Sequence, residues 1–396
     1  MLLLLCFYLC GVESLENVFL VQTSAGEPVQ GIIKELTPEG GLRLTNGTSI
    51  PASNWVSLRT LHRPVPPFPQ TPHLALSNGD CLVGTAVKLE GAILYYHLHN
   101  VGNPSSSVRI PLSAIDSLWF RSPERVQPVQ RKRLSRPDRL LDSILLLNND
   151  VIAGTVTAIE PRSGIITVES AGRSRDLQLA NVAAVAFSTR LKRDRTPKNH
   201  YLRAVLENGT RIILVNPEAD QNRLHGTTIF QDRISLPLAS VVALTSHHGS
   251  AIFLNEIEPP KYTYRSMNGE HFPFSFDHNL FGSPLRLNSS VGKTVFDKGL
   301  SIHAPATLTF NLGGRYQRFQ CLLGMDPDHG RRGQVLVRIL IDGTEFKYLQ
   351  SQRLDSDPHM IKLNLSQAQK LEITVDAVGA GSINGCVNFC DAMLIK

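Results

Sequence analysis

The sequence predicts an all-β protein in which repeated small β-barrel-like units precede a larger C-terminal antiparallel β-sandwich. Three observations lead there: apolar residues alternate in short runs, turn pairs built on Asn and Gly punctuate those runs, and helical periodicity of any length is absent. A chain of 396 residues exceeds one ordinary core, so several folded units are expected. With 42% hydrophobic and 19% charged residues the composition is globular, which excludes wholesale disorder.

The chain opens with an apolar stretch, Met1 to Ser14, shorter than the ~20 residues that a membrane-crossing helix needs. Residues 1–14 therefore read as the core of a signal peptide, although a basic n-region is missing. The expectation is an exported protein, secreted or periplasmic in the cell envelope, with no membrane span after signal removal. Cys81, Cys321, Cys386 and Cys390 would remain, too few for a disulfide scaffold. Cys386 and Cys390 could pair across a turn or stay as buried thiols, and the sequence leaves both open.

Four segments repeat one pattern: small β units at residues 15–62, 73–121, 140–189 and 200–247. Their first turns are Ala25-Gly26, Asn78-Gly79, Asn148-Asn149 and Asn208-Gly209, pairs that supply the positive φ of a tight hairpin. Five residues beyond come Gly31, Gly84 and Gly154, where a strand bends or bulges, and then Leu214, which breaks the rule. Each unit closes on apolar positions in steps of three, as in Leu112/Ile115/Leu118, Leu179/Val182/Val185 and Leu238/Val241/Leu244, with Ala52/Trp55/Leu58 a weaker copy. One turn of tight helix leading into a closing strand produces that spacing. The order resembles Sm-like small barrels, which is a likeness of fold alone.

The connectors carry much of the charge. Lys and Arg total 40 against 34 Asp and Glu, and basic residues concentrate at 122–139 and 190–199. Such runs favour an anionic component of the envelope as partner, or are simply solvated linkers. They lack the interleaved aromatics of a base-stacking surface, so no nucleic acid is expected. His62 to Pro69 reads as a stiff proline-rich spacer.

Residues 260–396 change in texture. Apolar runs at Thr307–Leu312, Phe319–Gly324, Val335–Ile341, Phe346–Leu349, Met360–Leu365 and Leu371–Val375 predict strands, and Asp342-Gly343 predicts a hairpin. The motifs Lys298-Gly-Leu-Ser-Ile-His303-Ala-Pro305, Phe310-Asn-Leu-Gly-Gly-Arg-Tyr316, Gly324-Met-Asp326-Pro-Asp328 and Ile341-Asp342-Gly343 occur in order over a third of the chain. In these motifs the region resembles the NPCBM family of carbohydrate-binding modules. The resemblance implies a galactose-binding-like jelly-roll sandwich that holds a glycan, galactose-containing ones among the candidates, without cleaving it. Near the end, Asp391 and Ala392 fit the family's Trp-Ala-Asp-Ala, but Phe389 replaces the Trp, and Cys386 and Asn388 replace the preceding His and Asp.

Sugar recognition needs an aromatic face and planar polar side chains, which makes His303, Asn388, Phe389 and Asp391 the candidate carbohydrate-binding residues. The bland readings are a loop-pinning role for His303 and a core role for Phe389. Asp326 and Asp328 offer carboxylates to a structural calcium ion, or cap their own turn. No zinc, phosphate-binding or nucleophile-elbow motif is present, so no enzyme activity and no other cofactor is expected, while a glycosidase-associated role on paired carboxylates stays open because sequence alone cannot place such a pair. The competing expectation is a cell-envelope scaffold whose sandwich has lost its sugar.

Overall fold

The structure, a computed structural model, describes residues 17–61, 63–99, 107–123, 126, 129–130, 134, 136, 138–193, 195–265, 271–289, 292–330, 333–350, 358–378 and 384–396. The expected leader at 1–14 lies outside them, as does part of the first basic connector.

Four segments of five strands come first. They are β1 (Val18–Thr23), β2 (Val29–Leu36), β3 (Leu42–Leu44), β4 (Ser49–Ile50) and β5 (Trp55–Thr60); β6 (His73–Leu76), β7 (Cys81–Glu90), β8 (Ile93–Leu98), β9 (Val108–Pro111) and β10 (Ile115–Trp119); β11 (Asp142–Leu146), β12 (Val151–Glu160), β13 (Ile165–Ser170), β14 (Arg173–Gln178) and β15 (Val182–Ala186); and β16 (Tyr201–Leu206), β17 (Arg211–Ala219), β18 (Arg223–Thr227), β19 (Arg233–Pro237) and β20 (Val241–His247). In every segment the first strand pairs with both the second and the fifth, and the second, third and fourth follow as a meander. A 3-10 turn precedes each fifth strand, at Ala52–Asn54, Leu112–Ala114, Leu179–Asn181 and Leu238–Ser240.

The first turns differ from the tight two-residue hairpin. Only the second residue of each pair has positive φ: Gly26, Gly79, Asn149 and Gly209. The Leu76 amide bonds the Asp80 carbonyl while Asn78 Oδ1 accepts from the Asp80 amide, and the same arrangement recurs at Leu146/Asn148/Asp150 and Leu206/Asn208/Thr210. This is a three-residue loop with a bulge, so Asn caps the turn and its neighbour supplies the left-handed residue. Leu214 also has its explanation. A Cβ on Gly84 would sit 2.2 Å from the His97 carbonyl oxygen, whereas in the fourth segment the glycine is Gly226 on the facing strand, whose Cβ would meet Leu214 Cβ at 2.8 Å. The close approach is kept, and the small residue has changed strands.

Closing strand β5 pairs with β20, and β10 with β15, so the first segment joins the fourth and the second joins the third. The connectors are docked on this body. Val65 is buried with Val205, Val242 and Ala243, and Val126 and Leu134 with Leu145, Ala183 and Ala184. Residues 63–69 are therefore a strap, not a spacer. Arg139 and Lys192 both pair with Asp116, which withdraws them from the anionic partner that the basic runs suggested.

The C-terminal part is a sandwich. Its strands are β21 (Ala251–Phe253), β22 (Lys261–Tyr264), β23 (Ser275–Phe276), β24 (Leu285–Ser289), β25 (Gly292–Phe296), β26 (Gly299–His303), β27 (Ala306–Asn311), β28 (Arg318–Met325), β29 (Val335–Ile341), β30 (Thr344–Gln350), β31 (His359–Asn364), β32 (Lys370–Ala377) and β33 (Cys386–Ile395). One sheet runs β23-β26-β33-β28-β31 with β21 also on β33; the other runs β22-β27-β32-β29-β30. The six expected strand runs correspond to β27 through β32, and Asp342-Gly343 has positive φ at both residues, as its hairpin requires. Hairpin β24–β25 packs Leu285, Leu287 and Phe296 onto the outer face of the first sheet, against Cys390. Gly299 and Gly324 admit it: a Cβ on either would lie 2.9 Å from Leu285 or Leu287. The four remaining cysteines are buried free thiols.

Sandwich and segments are joined by side chains. Arg59 pairs with Asp391 at 2.7 Å, Arg211 with Asp297 at 2.9 Å, and Val56 packs against Ala251, Phe253, Met393 and Ile395. At the same junction buried His247 bonds Glu256 at 2.6 Å. Burial holds the His247 imidazole below its usual range despite Glu256, and burial acts likewise on His73 and His200. With folded values below 6.5, the unfolded chain takes up protons first as pH falls, so these groups give stability above that value and lose it below. Thermal unfolding is expected to shift several degrees lower between pH 7.5 and 5.5, with a flatter slope in His247→Gln; a midpoint indifferent to pH over that range would contradict this.

Candidate functional site

The four carbohydrate-binding candidates do not form one site. His303 ends β26 with its ring buried against Phe272, centroids 4.2 Å apart, and its Nδ1 facing the Ala304 carbonyl at 2.6 Å. Phe389 is 0% exposed in the core between the sheets, because its strand alternates and that position faces inward, so it is no platform for a sugar. Asp391 occupies a bulge with φ 49°, which turns its carboxylate onto Arg59 and into the junction instead of a ligand mouth.

Asn388 and Asp326 do meet, beneath hairpin β24–β25. Asn388 Nδ2 donates to Asp326 Oδ2 at 3.1 Å and to the Arg286 carbonyl at 3.0 Å, and Asn279 Nδ2 donates to the same Asp326 oxygen at 3.2 Å. Asp326 Oδ1 accepts from the amides of Asp328 and His329, both at 2.8 Å. Four N–H donors thus occupy this carboxylate. Asp328 is paired with Arg286 at 3.1 Å and Lys293 at 2.7 Å. Calcium requires six to eight oxygen ligands, so Asp326 and Asp328 do not fit the calcium site the sequence suggested.

What the network holds in place is exposed. Asn279 Oδ1 accepts from the amides of Phe281 and Ser283, fixing a turn that closes on Gly282 at φ 80°. Phe281 at its tip is 56% exposed and lies against the His329 ring, centroids 3.8 Å apart. Asp326 therefore ties the turn carrying Phe281 to the turn carrying Asp328 and His329. Burial alone would raise the Asp328 carboxyl, but Lys293 and Arg286 outweigh it and hold it low, so it stays ionised at neutral pH. The exposed aromatic ring thus has an imidazole against it, and the neighbouring residue on that turn, Asp328, carries a guanidinium and an ammonium.

Sequence reasoning missed Asn279, Phe281, Arg286, Lys293 and His329. The one signal was an aromatic placed just before a turn glycine, where no strand carries it into a core.

Residues 255–395 match the family model described as NPCBM/NEW2 domain. The C-terminal third of this chain is an NPCBM/NEW2 domain. The match covers the region whose motifs resembled this family. Solved structures similar to the chain include the CBM51 module of GH95 from Clostridium perfringens in complex with methyl-galactose, 20% identical over 36% of this chain and 99% of that one, TM-score 0.34. Another is the GlcNAc complex of CBM51-2 with INT domains from Clostridium perfringens ZmpB, 16% identical, of which the chain covers 37% while 47% of this chain is matched, TM-score 0.34. A third holds the tandem CBM51 modules of Sp3GH98 from Streptococcus pneumoniae SP3-BS71, 10% identical over 84% of this chain and 92% of that one, TM-score 0.33. No curated protein matches the chain.

In the segments before the NPCBM domain, a groove of about 380 Å³ is lined by Leu118, Trp119, Phe120 and Leu179, and one of about 660 Å³ by Glu35, Glu218, Asp220 and His225. The first is mainly apolar, with Thr85 and Arg121 as its polar side chains, and the second is lined by no Phe, Tyr or Trp, so the two differ from the Phe281 site. No helix among the described residues is long and apolar enough to cross a membrane.

Proposed function

We propose that this protein is an exported, non-catalytic glycan binder whose NPCBM domain holds a hexopyranose, a galactose-type ring among the candidates, on Phe281. The observation that carries the reading is the exposed Phe281 ring, braced through Asn279 by buried Asp326 and Asn388. The apolar face of a sugar ring stacks on Phe281, while Asp328, His329 and Arg286 bond its hydroxyls. The four β segments act as a rigid mount for this surface, since the sandwich is ion-paired and packed onto them.

Calorimetric titration of the full chain with galactose-containing oligosaccharides tests the reading. Phe281→Ala is expected to weaken binding about tenfold or more, because losing burial of an aromatic face costs on the order of 1.5–3 kcal/mol. Unchanged affinity in that variant would place the sugar elsewhere. A second reading is favoured by the commitment of Asp391 to Arg59: an envelope scaffold that contacts proteins and no sugar. Capture of envelope proteins that sugars fail to release would support it.

A further inference from the structure

We infer that the Phe281 site selects an acidic sugar, a hexuronate of the galacturonide type, over its neutral counterpart. The inference rests on the glycan-binding reading above and narrows its ligand class. Two cations, Arg286 and Lys293, share a single carboxylate, Asp328, whose chain neighbour His329 lies against the Phe281 ring. The charges are unequally displayed: the Lys293 side chain is 49% exposed, against 29% for Asp328. Asp326, the other carboxylate nearby, is 1% exposed and turned onto N–H donors, so it adds no negative surface. The cluster on the turn that carries His329 therefore has a net positive charge.

Among the described residues, both cations have donors to spare after meeting Asp328. Arg286 gives it one N–H of a five-donor fork, and Lys293 one of three. Lying flat on Phe281, a hexuronate directs its carboxylate outward from the ring edge, within the class of group that guanidinium and ammonium bind best. A neutral hexose offers a hydroxymethyl at the same position, whose hydroxyl accepts a hydrogen bond but brings no opposite charge to the two cations. Asp328 in turn holds the two side chains in place before any ligand arrives.

The test is titration of the full chain with methyl galacturonide and methyl galactoside at low and at high salt, repeated with Lys293→Glu. The galacturonide is expected to bind about fivefold more tightly at low salt, the size of an exposed charge pair. That advantage should shrink as salt screens it. In Lys293→Glu, a substitution at a half-exposed site that leaves the core alone, the preference should vanish or invert. Galactoside binding as tight as galacturonide, without salt dependence, overturns this inference and leaves the glycan reading standing. Binding of neither sugar overturns both.

Discussion

Replacing Asp297 by alanine is expected to destabilise the junction between the sandwich and the β segments by about 3–5 kcal/mol, the cost of leaving a buried charge without its partner. Arg211 is 0% exposed and grips Asp297 through Nε at 3.0 Å and Nη2 at 2.9 Å. Its other N–H groups reach the carbonyls of Pro66, Pro67 and Gly209, and its plane lies 4.4 Å from the Phe68 ring centroid. Nothing in that enclosure can replace the carboxylate. Although burial alone would raise the Asp297 carboxyl, Arg211, Arg203 and Arg59 hold it below 3.8. Its contribution is thus complete above about pH 4 and lost as pH falls through the folded value. Denaturant unfolding checks the magnitude, and the double variant Asp297→Ala/Arg211→Met should lose less than the sum of the singles. A single-variant loss below about 1 kcal/mol would show the pair to be open to solvent.

The second large effect is expected at Asp326. Asp326→Ala strands the amide donors of Asn279 and Asn388 and two backbone N–H groups beneath hairpin β24–β25. Each buried donor left unmade costs roughly 1–3 kcal/mol, and water that fills the vacated space recovers part of it. A net loss of about 3–5 kcal/mol is expected, together with loss of the fixed spacing between Phe281 and His329. Measured by hydrogen exchange, protection should fall at the amides of Phe281 and Ser283 as well as at Asp328 and His329. Loosening confined to the second turn would mean that Asp326 does not couple the two. Asp326→Asn keeps an oxygen acceptor and should be milder.

Much of the sandwich was legible because alternation is a local property. The runs Thr307–Leu312 and Val335–Ile341 declare strands whatever they pack against, and Asp342-Gly343 declares its turn by backbone preference alone. The strands between Tyr262 and Phe296 were harder to see, since two-residue β23 and the covering hairpin β24–β25 lack a long alternating run. The binding candidates failed for a different reason. Phe389 and Asp391 are two residues apart and would face the same side of a regular strand, but the bulge at Asp391 breaks the alternation. Only the paired strands β28 and β33 reveal that shift in register.

Periodicity and turn residues by themselves determined the all-β class and the sandwich at the end, and the family resemblance rests on short motifs, because each is encoded by neighbours in sequence. The tertiary structure alone decided where chemistry can occur. Asn279, Asp326 and Asn388 come together from three separated loops and strands, and a hydrogen bond between residues 47 or 62 positions apart leaves no periodic trace in the chain. Likewise the charges of Arg59 and Arg211 look like surface residues until the sandwich folds against them and takes their solvent away.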